Sequence, residues 1–502
     1  MVITIAMADI LSPEDQNPWW RDPGALDNDA KLRDLGSANL RWSPSLRTEI
    51  DLERDRIYTL RGMRQVGKTS LVKSMMRDLM EGGVDPRCLL YYSCEMLHRP
   101  RELIEVLTRF RDLPGRPEKH GRLYAFIDEV TAVRGWERAV KHLADMGSLE
   151  GMTVVLTGSH SLDLKYAIER LPGRRGEGGG GTLNKVMRPM GFREYIALTA
   201  PQVAAPIERS IESASMDRHA MLLGMFDGSI HPVIEGELAL YSRELRALLE
   251  GYLLTGGLVR AIREHRATGS VDPQTYEMYV RAVVGDLARW RFQEGQARQL
   301  LRSVVKRMGT RVSLNAIAKE TEVPSHETVA RYLGAFVDSY VLHSFHQLDL
   351  SDGQTAYKRE RKLYFQDPFV YHAIRAWTRG STDYHEVASA AVGDRDLRGP
   401  MVEMVVAAHV VRLVEALRPS DVLSPQEAVL YWRKKGTDRE VDFVMRHRGE
   451  MLPLEVKYQP VIRSGDLDPL YTFRRGLLLS GGHLEARGSY SIVPAELFLM
   501  LV

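Results

Sequence analysis

Residues Gly62-Met63-Arg64-Gln65-Val66-Gly67-Lys68-Thr69-Ser70 decide the reading of this chain. Positions 62–69 spell G-x-x-x-x-G-K-[ST], directly after the apolar run Ile57-Tyr58-Thr59-Leu60 and directly before a helical pattern over 71–80. Strand, glycine-rich loop and helix in that order are what a phosphate-binding loop requires. The glycines let the backbone curl so that its N–H groups face phosphate oxygens, and the helix N-terminus adds a favourable dipole. In that setting Lys68 would reach the β- and γ-phosphates and the Thr69 hydroxyl would sit on Mg2+. The plain alternative, a glycine-rich turn, accounts for neither flank. ATP and Mg2+ are the expected ligands, with residues 62–70 forming the nucleotide cradle.

A second run bears on hydrolysis. Leu123-Tyr124-Ala125-Phe126-Ile127 is continuously apolar, as in a strand buried on both faces of a parallel sheet, and it ends in Asp128-Glu129. Asp128 at the strand tip would hold Mg2+ through water, and Glu129 would polarise the water that attacks the γ-phosphate. A solvated acidic turn is the alternative. A third buried run, Met152-Thr153-Val154-Val155-Leu156, leads into Thr157-Gly158-Ser159-His160. A hydroxyl there would lie between the other two strand tips and sense the γ-phosphate; Thr157 and Ser159 are both candidates. Strands are expected at 56–61, 88–93, 122–127, 152–157 and 186–189, and helices at 69–81, 101–111, 135–146 and 160–170. That alternation predicts a doubly wound α/β sheet. The glycine run after Arg174-Arg175 reads as a flexible loop. Its basic pair fits an arginine finger, a solvated loop or a nucleic-acid contact.

The 502 residues carry 68 Lys and Arg against 66 Asp and Glu, a net charge of +2. Such a balance excludes a basic field over the whole molecule, so any nucleic-acid surface must be local. The length predicts about three domains. Cys88 and Cys94 are too few for a disulfide framework or a zinc site and read as core thiols in a reducing cytoplasm. No apolar stretch reaches membrane-spanning length, and the first residues lack the basic region of an export signal, so no membrane partner is expected. Trp19-Trp20 would either pack on adenine or anchor the N-terminal arm to the core.

Downstream, Leu314-Asn315-Ala316-Ile317-Ala318-Lys319-Glu320-Thr321 reads as a short helix and Val323-Pro324-Ser325 as a turn. His326-Glu327-Thr328-Val329-Ala330-Arg331-Tyr332-Leu333 opens a second helix capped by Ser325. This is a helix-turn-helix pattern, and Ser325, His326, Thr328 and Arg331 would face the major groove if it docks DNA. The alternative is a unit that only packs domains together. In the last third, Glu403 falls on an amphipathic helix over 400–417. Asp442 lies in the strand Glu440-Val441-Asp442-Phe443-Val444, and Glu455 and Lys457 in Leu452-Pro453-Leu454-Glu455-Val456-Lys457. The single residue between Glu455 and Lys457 puts both on one strand face. Three carboxylates, Glu403, Asp442 and Glu455, would hold a second Mg2+, with Lys457 stabilising a developing phosphorane or positioning water. An amphipathic hairpin with exposed charges is the alternative.

Taken in order, these stretches resemble the archaeal-type AAA-superfamily ATPases of archaea and bacteria. The matching residues are 62–70, 126–130, 156–159, 171–174, 189–195, 252–257, the helix-turn-helix, Lys362-Leu363-Tyr364-Phe365-Gln366-Asp367 and 440–457. The resemblance covers nearly everything beyond residue 50 and implies a P-loop AAA-type parallel-sheet domain, a helical and winged-helix region, and an α/β domain of PD-(D/E)xK nuclease character. The expected boundaries are an N-terminal arm at 1–50, the ATPase domain at 51–200, a helical region at 201–298, a winged helix at 299–370 and the restriction-endonuclease-like domain at 371–502. The resemblance also implies Lys68 and Thr69 on nucleotide, Asp128 on Mg2+, Glu129 as water activator and Arg174 as the arginine acting in trans; the glycine run after Arg175 departs from the family's pattern. A cytoplasmic Mg2+-ATPase doing conformational work on DNA, branched DNA included, is the expectation. It would act as a homo-oligomer, with a hexameric ring among the forms. The competing readings are an ATP-gated nuclease and a nucleotide switch whose downstream modules regulate.

Overall fold

The computed structural model describes residues 12–37, 40–115, 122–158, 182–290 and 292–502, together with Leu164 and Arg175. The chain divides into two compact units, Met1–Arg188 and Pro189–Val502.

In the first unit five strands alternate with helices: β1 (Ile57–Gly62), α1 (Lys68–Glu81), β2 (Leu89–Ser93), α2 (Pro100–Arg111), β3 (Leu123–Asp128), α3 (Trp136–Asp145), β4 (Met152–Thr157) and β5 (Asn184–Met187). The strands lie side by side, all parallel, in the order β2-β3-β4-β1-β5. Each expected strand falls within two residues of an observed one. Runs such as 152–157 are largely apolar because both faces of the sheet are covered, and β4 is buried at every position. The helix expected at 160–170 falls, apart from Leu164, outside the described residues. Trp19 and Trp20 settle as anchors: both indole N–H groups donate to the Leu89 carbonyl, at 3.3 and 2.7 Å. Trp20 also stacks on Phe110. Cys88 and Cys94 are both buried, and neither is in a disulfide.

The second unit opens with helices, among them Pro201–Glu212, Ser242–Thr255, Val259–Thr268 and Pro273–Arg289. Then follow α4 (Glu294–Lys306), β6 (Arg311–Val312), α5 (Leu314–Glu320), α6 (His326–Asp338) and the hairpin β7 (Leu342–Asp349) and β8 (Gln354–Phe365). After the long helix α7 (Arg395–Leu417) come β9 (Val429–Arg433), β10 (Glu440–His447), β11 (Glu450–Lys457), β12 (Gly476–Ser480), β13 (Glu485–Arg487) and β14 (Tyr490–Pro494). A single sheet collects them in the order β13-β14-β12-β11-β10-β9-β7-β8-β6. The hairpin joins it through a parallel pairing of His346 and Gln347 with Leu430 and Tyr431. The sheet therefore runs unbroken across residue 370, where the sequence suggested a boundary.

Three of the stretches that carry the family resemblance, 189–195, 252–257 and 362–367, meet inside this unit. Gly256 has φ +58°, and a Cβ there would lie 2.1 Å from Asp367 Oδ1; a Cβ on Gly257 would lie 2.1 Å from the Met190 carbonyl oxygen. Only glycine fits either place. Asp367, buried, accepts from the backbone N–H groups of Gly257 and Phe369, both at 2.8 Å. Burial pushes its carboxyl up to about 6. Phe192 N–H donates to His409 Nε2 at 2.9 Å, and the other ring nitrogen lies 2.8 Å from the Val405 carbonyl. That pairing fixes one neutral tautomer, and burial lowers the imidazole to about 3.

Candidate functional site: the phosphate loop and the C-terminal carboxylate cluster

The loop between β1 and α1 takes the shape its composition predicts. Gly62 has φ +146° and Gly67 φ +110°, and a Cβ on Gly62 would lie 2.2 Å from the Met187 carbonyl oxygen on β5. Gln65 is also left-handed, at φ +65°. Met63 and Val66 are buried under the loop, and Gln65 is exposed. Lys68 folds back over it, its Nζ donating to the carbonyls of Gly62 at 2.9 Å and Met63 at 3.0 Å. The ammonium thus waits at the mouth of the cradle, held by acceptors that a phosphate can replace.

Strand order brings the remaining groups to this edge. Because β4 lies between β1 and β3, the tip residue Thr157 sits beside Asp128. Asp128 accepts from three hydroxyls: Thr69 Oγ1 at 2.8 Å, Tyr91 OH at 2.9 Å, and Thr157. Among the described residues it forms no ion pair. Glu129 follows in a left-handed conformation, φ +51° and ψ +39°, with its N–H on Thr157 Oγ1 at 3.3 Å. A non-glycine residue in that region is strained, and here the strain turns the chain sharply at the strand tip. Burial, with the charge of Asp128, pushes the Tyr91 phenol up, so it stays a donor. The sequence did not single out Tyr91, since a tyrosine within an apolar strand reads as core. Arg175 is spent in the fold: it is buried, and its Nε donates to the Ile57 carbonyl at 3.0 Å. Ser159 and Arg174 lie outside the described residues.

Residues 54–196 match a family model described as an AAA domain. The first unit is an AAA-type ATP hydrolase module. Residues 246–381 and 398–496 match two models described only as domains of unknown function. No curated protein matches the sequence. Among solved structures, the Walker-type ATPase of Pyrococcus abyssi aligns at 15% identity over 74% of this chain and 99% of its own, with a TM-score of 0.37. The Aeropyrum pernix Orc1 protein in complex with DNA aligns at 16% identity over 72% and 96%, with a TM-score of 0.27. AMPPCP-bound DnaA from Aquifex aeolicus aligns at 14% over 63% and 88%, with a TM-score of 0.19. These scores are too low to carry an argument. No described helix is long and apolar enough to cross a membrane.

Beyond the AAA module, Glu403, Asp442, Glu455 and Lys457 do converge, from α7, β10 and β11. Asp442 sits where the pairing of β10 with β9 shifts register between Val441 and Val444. Its N–H is thereby released from β9 and donates to Glu455 Oε2 at 3.1 Å. Lys457 Nζ lies 2.6 Å from Glu455 Oε1. The expected second Mg2+ site, however, does not fit these residues as they stand. Lys362 of β8, fully buried, places its Nζ 2.6 Å from Asp442 Oδ1, 3.1 Å from Glu403 Oε1 and 2.8 Å from Glu440 Oε1. Among the described residues no group of three or more carboxylate, imidazole or thiolate side chains is arranged to hold a metal ion. Burial opposes the charge of Lys362, but Asp442 and Glu403 outweigh it and hold the ammonium well above the usual lysine range. Glu403 is itself pushed up to about 7, by burial first and then by the charge of Asp442. Lys362 stood among the residues of the family resemblance without a role.

Two helices, α5 and α6, occupy the stretch in which the sequence suggested a helix-turn-helix. Ser313 caps α5 and Ser325 caps α6, accepting from Thr328 N–H at 3.3 Å. Ile317, Val329, Leu333 and Phe336 are its buried apolar residues. Ser325 is thus engaged as a cap, while His326 and Arg331 are exposed and Thr328 is half-buried. The Arg331 guanidinium lies over Phe292, 5.6 Å from the ring centroid. The β7–β8 hairpin adds a feature the sequence reading passed over. Arg361 pairs with His346 but Ala356 pairs with the next residue, Gln347, so residues 357–360 bulge out of β8. Tyr357, Lys358 and Arg359 in that bulge are exposed.

Proposed function

We propose that the chain is a Mg2+-dependent AAA ATPase that couples hydrolysis to binding and remodelling DNA, by translocation or junction migration in genome maintenance. The observation that carries the reading is the Asp128 carboxylate, held by Thr69, Tyr91 and Thr157 with no ion pair among the described residues, one loop away from Lys68. In this proposal residues 62–70 cradle the triphosphate and Lys68 neutralises the β- and γ-oxygens. Thr69 and Asp128 hold Mg2+, which supplies charge neutralisation at the phosphates when bound. Glu129 orients and deprotonates the attacking water, and Thr157 with Ser159 reads the γ-phosphate. Arg174 completes the site of a neighbouring copy, so the working form is a homo-oligomer, a hexamer in the ring version.

The DNA arm of the proposal is supported by the cap and burial pattern of α5 and α6. That pattern leaves His326, Thr328 and Arg331 on the open face. The exposed Tyr357-Lys358-Arg359 bulge on the following hairpin adds a local basic surface with an aromatic ring to stack on bases or sugars. A chain of near-zero net charge needs such a local patch to hold a polyanion.

The test is mass measurement and DNA binding of Glu129→Gln held in ATP. The reading expects an ATP-loaded oligomer that binds DNA more tightly than the nucleotide-free protein. DNA-independent hydrolysis together with no DNA affinity would remove the DNA arm and leave a nucleotide switch.

A further inference from the structure

We propose that the ammonium of Lys362 occupies the place a divalent cation would take in the C-terminal carboxylate cluster, so that this domain takes up no metal there and does not cut DNA. The geometry is that of a cation already bound. An ammonium has three N–H donors, and three carboxylates from two segments, Glu403 of α7 and Glu440 and Asp442 of β10, each place an oxygen 2.6 to 3.1 Å from its nitrogen. Mg2+ would need those oxygens near 2.1 Å, in an open octahedron with room for water. Here the centre is filled by a side chain that is 1% exposed.

The oxygens of the strand carboxylates are engaged as well. Asp442 Oδ2 accepts from Val456 N–H at 2.9 Å, opposite the oxygen that meets Lys362. Glu455 uses one oxygen on Lys457 and the other on the Asp442 N–H. Glu403 accepts from Tyr364 OH with the same oxygen that meets Lys362. Glu440 is shared with Arg311, at 2.6 Å. Both strand carboxylates thus have each oxygen engaged, and none points into open space as a metal ligand must.

The source of the lysine matters. Lys362 does not come from the hairpin β10–β11 that carries Asp442, Glu455 and Lys457; it comes from β8, separated from β10 in the sheet by β9 and β7. Its alternate neighbour on the strand, Tyr364, points into the same cluster. A buried lysine persists only where its charge is met by partners, and buried carboxylates only where theirs is. Glu403, Glu440 and Asp442 around Lys362, with Glu455 on Lys457 and Glu440 also on Arg311, therefore stabilise each other and brace β8 against β10 and α7. The inference is independent of whether the AAA module acts on DNA.

The experiment uses the full chain without nucleotide. Mn2+ uptake is measured by electron paramagnetic resonance, and cleavage of duplex, single-stranded and branched DNA is assayed in Mn2+ and in Mg2+. Three proteins are compared: wild type, Lys362→Met, and Lys362→Met combined with Asp442→Asn. The wild type is expected to bind no Mn2+ without nucleotide and to leave every DNA intact. Lys362→Met, which vacates the centre and keeps the stem, is expected to gain one Mn2+ per chain, and the added Asp442→Asn change is expected to remove it. Wild-type uptake of Mn2+ that Asp442→Asn abolishes would overturn the proposal. So would wild-type cleavage lost in Asp442→Ala or Lys457→Ala, or a folded Lys362→Met chain that gains no ion. Should Lys362→Met fail to fold, the wild-type uptake and cleavage measurements decide alone.

Discussion

Two buried aspartates in this chain face opposite electrostatic companies. Asp128, at the tip of β3, is solvated by the hydroxyls of Thr69, Tyr91 and Thr157 and forms no ion pair among the described residues. Asp442, on β10, is met by the Lys362 ammonium at 2.6 Å. Neutral donors stabilise a carboxylate without cancelling its charge, so the first site retains attraction for a cation. A fixed ammonium cancels it, so the second retains none. The difference teaches that a set of residue types suited to metal chemistry identifies a metal site only when the charge left over is known. That remainder depends on the partners the fold supplies.

The comparison can be broken hardest at the first site. Glu129→Gln should lower ATP turnover by about 10²–10⁴-fold, the usual worth of a positioned base, while nucleotide stays bound. Lys68→Ala should abolish retention and turnover together, both read by single-turnover hydrolysis. Next in size is the brace. Asp442→Ala leaves Lys362 buried and short of a partner, and should cost about 3–5 kcal/mol of unfolding free energy in the second unit, read by denaturant melts. Asp128→Asn keeps one acceptor oxygen and presents an N–H to hydroxyls that can turn to accept it, and should cost about 1 kcal/mol. Equal losses at the two aspartates would contradict the contrast.

A pH titration sharpens the same picture. His409 and His372 are buried, and burial lowers them to about 3 and about 4. A depressed folded-state value means stability that is present above the ordinary imidazole range and lost as pH falls through the folded value. The melting temperature of the second unit should therefore hold above about pH 6.5, the unperturbed histidine value, and drop progressively below it. Substituting His409 by Gln should flatten part of that drop. A smaller effect is expected at the DNA face. Arg331→Ala should reduce the slope of log affinity against log salt by about 0.9, one phosphate contact. Tyr91→Phe should be the mildest change, removing one hydroxyl worth about 1 kcal/mol and lowering turnover several-fold.

The phosphate site was legible because its information is contiguous. One string supplies loop, lysine and hydroxyl, and an apolar run ending in Asp128 supplies the strand tip. Covering both faces of the sheet forces strand residues such as 152–157 to be largely apolar, so the element order could be read as well. Tyr91 escaped because an aromatic within such a run looks like core until its hydroxyl is seen on Asp128. Arg175 lay in a basic pair whose flanking glycines suggested a loop, yet it is tied to the Ile57 carbonyl. In the second unit the helix-turn-helix was legible from the Ser325 cap and the apolar spacing. The Tyr357-Lys358-Arg359 bulge was not, because a register shift between two strands leaves no local mark. Lys362 escaped for a deeper reason: it reaches Asp442 through strand order, with β7 and β9 between their strands, and no spacing rule spans that.

The number of Mn2+ ions bound per chain by Glu129→Gln, with ATP and without it, tests the contrast between Asp128 and Asp442 most directly. One ion in ATP and none in its absence is the predicted result. An ion bound without nucleotide and lost in Asp442→Asn, or no ion bound in ATP, would contradict it.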